Sequence, residues 1–157
     1  MKATPYLSPK FPSTSTPPAM RTQFDRERLK VYQEALRFVS WVGPIIDELP
    51  AKLAARDQLD RASTSIVLNL AEGNGKRSHP ERCRYFDIAR GSELECAACL
   101  DVLVARQKVA RETAEAGKAI LIEVVSMTAG LIARFSGAVC EEEQAPFGDN
   151  VTSREKE

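Results

Sequence analysis

The chain of 157 residues contains one histidine, His79, and one tryptophan, Trp41. A single histidine removes most routes to acid–base catalysis, because no serine or cysteine is paired with it by a recognisable motif. Beside Pro80 it reads as a solvated turn residue rather than a general base. Metal binding is short of ligands as well. Beyond Cys96 and Cys99 only Cys83, Cys140 and His79 are available, and they lack finger spacing. No apolar run approaches the roughly 20 residues a membrane helix needs, and the N-terminus lacks the apolar core of a signal peptide. These absences lead to the expectation of a cytoplasmic, non-catalytic protein with no cofactor, no membrane contact and reduced thiols.

An excess of positive charge is missing too. The 22 basic and 22 acidic residues balance overall, and 17 basic face 16 acidic residues within 24–140. A committed nucleic-acid binder would carry a strong basic excess. The acidic run that begins at Glu141 would compete with phosphates rather than attract them.

Strand alternation and internal repeats are also absent, and four helical stretches fill the chain instead. Residues 1–23, with Pro5, Pro9, Pro12, Pro17 and Pro18 among Ser and Thr, read as a disordered extension. Residues 141–157 read as a disordered acidic tail, leaving a single domain over 24–140. In the first stretch, about Asp25–Leu49, Val31, Ala35, Phe38, Val42, Ile45, Ile46 and Leu49 keep helical spacing. Gly43-Pro44 predicts a kink or a short break there. The second stretch, about Ala54–Glu72, aligns Leu59, Ala62, Ser63, Ile66, Val67 and Leu70. Gly73 and Gly75 are expected to close it in the left-handed conformation.

Ser78 stands three residues before Glu81 with Pro80 between them, a capping-box start for the third stretch, about Pro80–Lys108. Its stripe holds Tyr85, Phe86, Ala89, Cys96, Ala97, Leu100, Leu103 and Val104. Gly91 inside it costs about 1 kcal/mol relative to alanine, which close approach of a neighbouring helix would offset. The fourth stretch, about Arg111–Val139, aligns Ile120, Leu121, Val124, Val125, Thr128, Leu131, Ile132, Phe135 and Val139. Four amphipathic helices with short connections predict an all-α, antiparallel up-down-up-down four-helix bundle. Ser126, Ala129, Gly130, Ala133 and Gly137 leave the back of the fourth helix small and uncharged. With Trp41, which falls beside the first stripe, this surface suits a subunit interface.

Cys96 and Cys99 form a CxxC, but deep inside a helix, where they read as small core residues rather than a redox pair. Asn69–Gly75 is similar to a phosphate-binding glycine loop, yet it follows a helix and lacks the Lys-Ser/Thr of that motif. A polar set, Ser65, Asn69, Glu72, Arg90, Ser92 and Glu95, sits at the edges of the second and third stripes. It reads as a packing network within or between subunits, with a ligand site as the alternative. Glu72 lies near a helix C-terminus, where the dipole disfavours an anion, so it needs a partner, and Arg90 is the nearest plausible cation. Lys76, Arg77, Arg82 and Arg84, with Arg90, cluster around the turn between the second and third helices. Glu72, Glu81, Asp87 and Glu93 are interspersed. This is either a solvated surface or a phosphate-contacting patch, the latter favoured if a ring repeats it.

Several of these residues fall in recognisable blocks: Val31-Tyr32-Gln33-Glu34-Ala35; Gln58-Leu59 with Arg61-Ala62-Ser63 and Ser65-Ile66; Asn69-Leu70-Ala71-Glu72-Gly73; and Ala89-Arg90-Gly91-Ser92 with Glu95. Over about residues 27–136 the chain resembles the four helix bundle protein family. That family includes proteins encoded in bacterial 23S ribosomal RNA intervening sequences and the accessory variability determinants of diversity-generating retroelements. The resemblance implies an antiparallel four-helix bundle assembled as a ring-shaped homopentamer. For retroelement members it implies a non-enzymatic partner of a reverse transcriptase that contacts nucleic acid through a basic surface. The expected function is therefore a non-catalytic oligomeric scaffold for RNA or a reverse transcriptase, with Lys76, Arg77, Arg82 and Arg84 as its phosphate contacts. The alternatives are a protein-only adaptor and, further off, a ligand carrier or enzyme using Glu72, Arg90 and Glu95.

Overall fold

A computed structural model describes residues 24–143, with side chains described as far as Gly137. The N-terminal extension, the tail beyond Glu143 and the side chains of Val139 and Cys140 lie outside the described residues. After a single 3-10 turn, Asp25–Arg28, come four α-helices: α1 Lys30–Glu48, α2 Ala54–Gly75, α3 His79–Ala105 and α4 Arg111–Glu143. No strand occurs among the described residues.

The connections, residues 49–53, 76–78 and 106–110, are three to five residues long. They reach roughly 10–18 Å fully extended, whereas the helices they join are roughly 28–50 Å long. Each helix must therefore turn back along its predecessor. α1 packs on α2, α2 on α3, α3 on α4 and α4 back on α1, the contact order of an up-down-up-down bundle. The core is the set of stripes read from the sequence. Val31, Phe38, Val42, Leu59, Ile66, Leu70, Phe86, Leu100, Leu103, Leu121 and Val124 are all buried, and each large one contributes about 1.5–3 kcal/mol by leaving water.

Local chemistry sets the ends. Ser78 caps α3 by accepting the Glu81 N–H at 3.4 Å, and its hydroxyl donates to Glu81 Oε2 at 3.0 Å. This is the expected capping pair, with the glutamate returning to the serine hydroxyl rather than to its backbone N–H. At the other end of α3, Gln107 takes φ 56°, and the Lys108 N–H reaches back to the Leu103 carbonyl at 2.9 Å. That is the arrangement of a glycine-type helix terminator, occupied here by glutamine at a cost of about 1–2 kcal/mol.

Three glycine and proline expectations are corrected. α1 runs unbroken through Pro44. Ser40 and Pro44 are both exposed, so water can serve the carbonyl that loses its partner. Gly73 and Gly75 are helical, and no described glycine has positive φ. α2 closes instead at Lys76, which turns extended and donates to the Gly73 carbonyl. Gly73 is needed for space: a Cβ there would lie 2.7 Å from Phe86 Cε1. Gly91 has nothing within 4 Å of where its Cβ would stand, so no helix of the protomer approaches it.

The close approach that does need glycine is at Gly117, where a Cβ would meet Trp41 Cη2 at 2.3 Å and Leu100 Cδ1 at 3.0 Å. Trp41 also stacks on Phe38, with ring centroids 5.9 Å apart. It is thus packed against α4 inside the protomer, not held out for a partner. Gly117→Ala should lower unfolding stability by about 1–3 kcal/mol, despite the better helix propensity of alanine. Adding Trp41→Phe, which removes the colliding ring atoms, should recover part of that loss in urea titrations. Equal stability of wild type and Gly117→Ala would contradict this packing.

Candidate phosphate-binding end and the polar seams

The turn between α2 and α3 and the 3-10 turn before α1 enclose a cavity of about 290 Å³ at one end of the bundle. Arg26, Lys76, Arg77 and Arg82 line it, with Asp25 the acid among them. Most of these cations are held in place. Arg26 stacks over Phe24 at 4.3 Å. Lys76 pairs with Glu72 at 2.7 Å and lies 4.9 Å from the Tyr85 ring centre. The hydrogen bond to Glu72 holds its ammonium above the ordinary 10.5, against the opposing effect of burial. Arg82 donates from Nε to the Lys76 carbonyl at 2.7 Å and lies over Phe135 at 4.9 Å, which fixes its fork at the cavity wall.

Three of the four basic residues singled out from the sequence, Lys76, Arg77 and Arg82, thus meet at one cavity. Arg84 does not line it. It is exposed and lies 6.0 Å from the centre of the Tyr85 ring. Arg26 was missed, and nothing in its local sequence marks it, because only the fold brings the 3-10 turn against the end of α2. His79 is half-buried against Phe135, ring centroids 5.3 Å apart, so it is a packed residue rather than a solvated one.

The polar set divides into separate contacts. Ser65 Oγ and Ser92 Oγ lie 2.8 Å apart across α2 and α3, Ser92 donates to the Ile88 carbonyl at 3.1 Å, and Asn69 Nδ2 donates to Ser65 O and Oγ at 2.8 and 3.0 Å. With Ser92 committed to Ile88, Ser65 supplies the hydrogen between the hydroxyls, so every hydroxyl in this seam is used. Further along, Arg61 donates to Gln58, whose amide donates to Glu95 on α3. Glu72 pairs with Lys76 one turn on, not with Arg90; an i,i+4 partner on its own helix is nearer than any on α3. Arg90 is exposed.

Cys96 and Cys99 are core residues, and burial pushes both thiols up from their ordinary value, opposite to what a reactive pair requires. Glu93, expected among the solvated acids around the basic cluster, is instead fully buried and lies 2.7 Å from Thr128 Oγ1 on α4. Its position on the third helix falls just beside the apolar stripe, a place where sequence spacing alone leaves the direction of a side chain open.

The outer faces of α3 and α4 are apolar. Ile88, Leu94 and Val102 on α3 and Ile122 on α4 are 42, 52, 42 and 66% exposed, and Gly91, Ala98, Ser126, Ala129, Gly130, Ala133 and Gly137 are exposed beside them. Leu94 and Ile122 are walls of one groove, so the two faces form a single surface. Residues Arg111–Gly137 are also long and apolar enough to cross a membrane by length and composition, with 22% of the most apolar window buried. This corrects the expectation that no stretch reaches that threshold; a core helix with a bare apolar back satisfies the same criterion.

If the α2–α3 seam is cooperative, Ser65→Ala and Ser92→Ala should not add. A double-mutant cycle should return a coupling of about 1 kcal/mol, and strict additivity would show that the hydroxyls do not interact.

No curated protein matches the chain. A crystal structure of a protein of unknown function from the S23 ribosomal protein family of Bacteroides thetaiotaomicron has the same fold, with TM-score 0.64 and 20% sequence identity. That similarity covers 69% of this chain and 98% of the other. The model of the 23S rRNA-intervening sequence protein family matches residues 27–130, which take in α1, α2, α3 and more than half of α4. The chain therefore belongs to the 23S rRNA-intervening sequence protein family.

Proposed function

We propose that this protein is a non-catalytic scaffold that assembles through the apolar faces of α3 and α4 and holds RNA, alone or with a reverse transcriptase, at its basic end. The observation that carries the RNA contact is the cavity where Arg26, Lys76, Arg77 and Arg82 converge from three elements. Local concentration of charge matters more than the neutral total. Phosphates respond to charges within a Debye length, about 8 Å at physiological ionic strength, and distant acids are screened. Arginine forks held by backbone and ring contacts suit phosphate oxygens, since little freedom is lost on binding.

Self-assembly is supported by the uncovered surface. Water meets Leu94, Val102 and Ile122 on neighbouring helices of the protomer, and contiguous apolar patches on soluble proteins usually mark association sites. The expected arrangement is a ring-shaped homopentamer in the cytoplasm, in which each protomer adds its own basic end and weak phosphate contacts combine into useful avidity.

Labelled single-stranded RNA titrated at two salt concentrations tests the contact. Affinity should fall with salt at a log–log slope of roughly −3, from about −0.7 per neutralised phosphate and four contacts. Replacing Arg26, Lys76, Arg77 and Arg82 by Ala should abolish binding, while Arg84→Ala should have a much smaller effect. Binding that is absent at low salt, or insensitive to salt, rules out the RNA contact. A nuclease-resistant protein partner would then favour the adaptor reading, which the balanced overall charge suits. For assembly, sedimentation should give an oligomer, and Leu94→Lys with Ile122→Lys should yield helical monomers. A stable wild-type monomer at micromolar concentration would contradict the assembly.

A further inference from the structure

Glu93 plays no part in the proposed RNA contact, yet it is the one acid of the bundle that is fully buried among the described residues. It lines a groove of about 260 Å³ between α3 and α4, whose walls include Leu94, Leu121, Ile122 and Val125. Its Oε1 lies 2.7 Å from Thr128 Oγ1, and its Oε2 is buried without a hydrogen-bond partner. Thr128 Oγ1 also lies 2.9 Å from the Val124 carbonyl oxygen.

A hydroxyl has one hydrogen, and a carbonyl can only accept. The Thr128 hydrogen therefore serves Val124, as is usual for a helical threonine. The short contact with Glu93 then requires its hydrogen to come from the carboxyl. An ionised Glu93 would leave two oxygens facing one hydrogen that is already committed, inside an apolar wall, which is among the costliest arrangements a core can hold.

We propose that Glu93 and Thr128 form a proton-operated clasp between α3 and α4, closed while the Glu93 carboxyl keeps its hydrogen and released as it ionises. Released, the carboxylate must reach water, and the path is the groove between Leu94 and Ile122, so ionisation loosens the contact of the two helices. The charges around it do not prevent this. Arg90 on α3 draws the carboxyl toward ionisation only weakly compared with burial. Lys118 of α4 lines the same groove but is engaged by Asp101 and Glu115. Cys96, further along α3, stays a neutral thiol. The field acting on Glu93 includes no charged group of α1 or α2 among the described residues.

Burial raises Glu93 from its ordinary 4.5 to about 7, against the weaker pull of Arg90. A carboxyl raised in the folded state contributes stability that is complete below the unfolded value and is lost as pH climbs through the folded one. The clasp thus weakens between about pH 5 and pH 8.

The test has three arms. Carbon-13 NMR should show the Glu93 carboxyl of the intact protein titrating near neutrality. Unfolding at pH 5 and pH 8 should show the wild type losing on the order of 10²-fold in its folding equilibrium relative to Glu93→Gln. Amide exchange around residues 93 and 128 should quicken with pH in the wild type beyond the common rise in intrinsic rates, and not in the variant. A Glu93 carboxyl titrating in the usual carboxylate range, or parallel stability profiles for the two proteins, would overturn the clasp. Should Glu93→Gln fail to fold, the wild-type titration decides alone.

Discussion

Ser92 and Glu93 are consecutive on α3, and each ties that helix to a different neighbour: Ser92 to Ser65 of α2 and Glu93 to Thr128 of α4. One step along a helix turns the side-chain direction by about 100°, so two adjacent polar residues can address two partners at once. The rest of the bundle depends on this double attachment. Apolar stripes bring helices together but tolerate sliding, because one hydrophobic contact resembles the next. A buried hydroxyl or carboxyl that has only one satisfactory partner does not tolerate it. Shifting α2 by a turn would leave the Ser65 hydroxyl without the oxygen it donates to, and shifting α4 would leave Glu93 buried without Thr128. The glycines act in the same direction by shape. Gly73 admits the Phe86 ring between α2 and α3, and Gly117 admits Trp41 between α1 and α4.

The fold was legible because its signals are periodic. Each stripe read from the sequence is buried or half-buried where described, and the Ser78–Glu81 start of α3 appears at its predicted residues. What spacing could not show were the contacts that depend on the third dimension. Gly73 and Gly75 read as chain reversal because that is glycine's commonest duty, whereas Gly73 serves close packing, as does Gly117, which no spacing marks. The true reversal at Gln107 carries no glycine to announce it. Trp41 sits at the margin of its stripe, and a helical wheel cannot say whether a margin faces solvent or the next helix. Glu72 and Arg90 looked complementary on paper, but Lys76 lies four residues from Glu72 on the same surface, and proximity along a helix prevailed.

The candidate site was half legible for a related reason. Lys76, Arg77 and Arg82 are near one another in sequence, so a single turn suffices to gather them. Arg26 joins from some fifty residues away only because the 3-10 turn packs against the C-terminal end of α2. A count of charges could not anticipate that either. Balanced composition describes the average field of a molecule, while binding is decided within the few ångströms over which screening is incomplete. An overall neutral chain can therefore present a strongly basic end, provided its acids are placed elsewhere.

Asp25 and Glu72 stay beside these cations, but one acid of the neighbouring sequence has been withdrawn altogether. Glu93 lies three residues from Arg90 in sequence, yet it is turned inward to α4, where it faces Thr128 and not the solvent. In its protonated form it subtracts no charge from the surface. The same residue thus serves packing by holding α3 to α4 and electrostatics by its neutrality. It lines the groove whose walls, Leu94 and Ile122, belong to the bare apolar face. A side chain with those three attachments links the protonation of the core to the exposed apolar surface shared by α3 and α4.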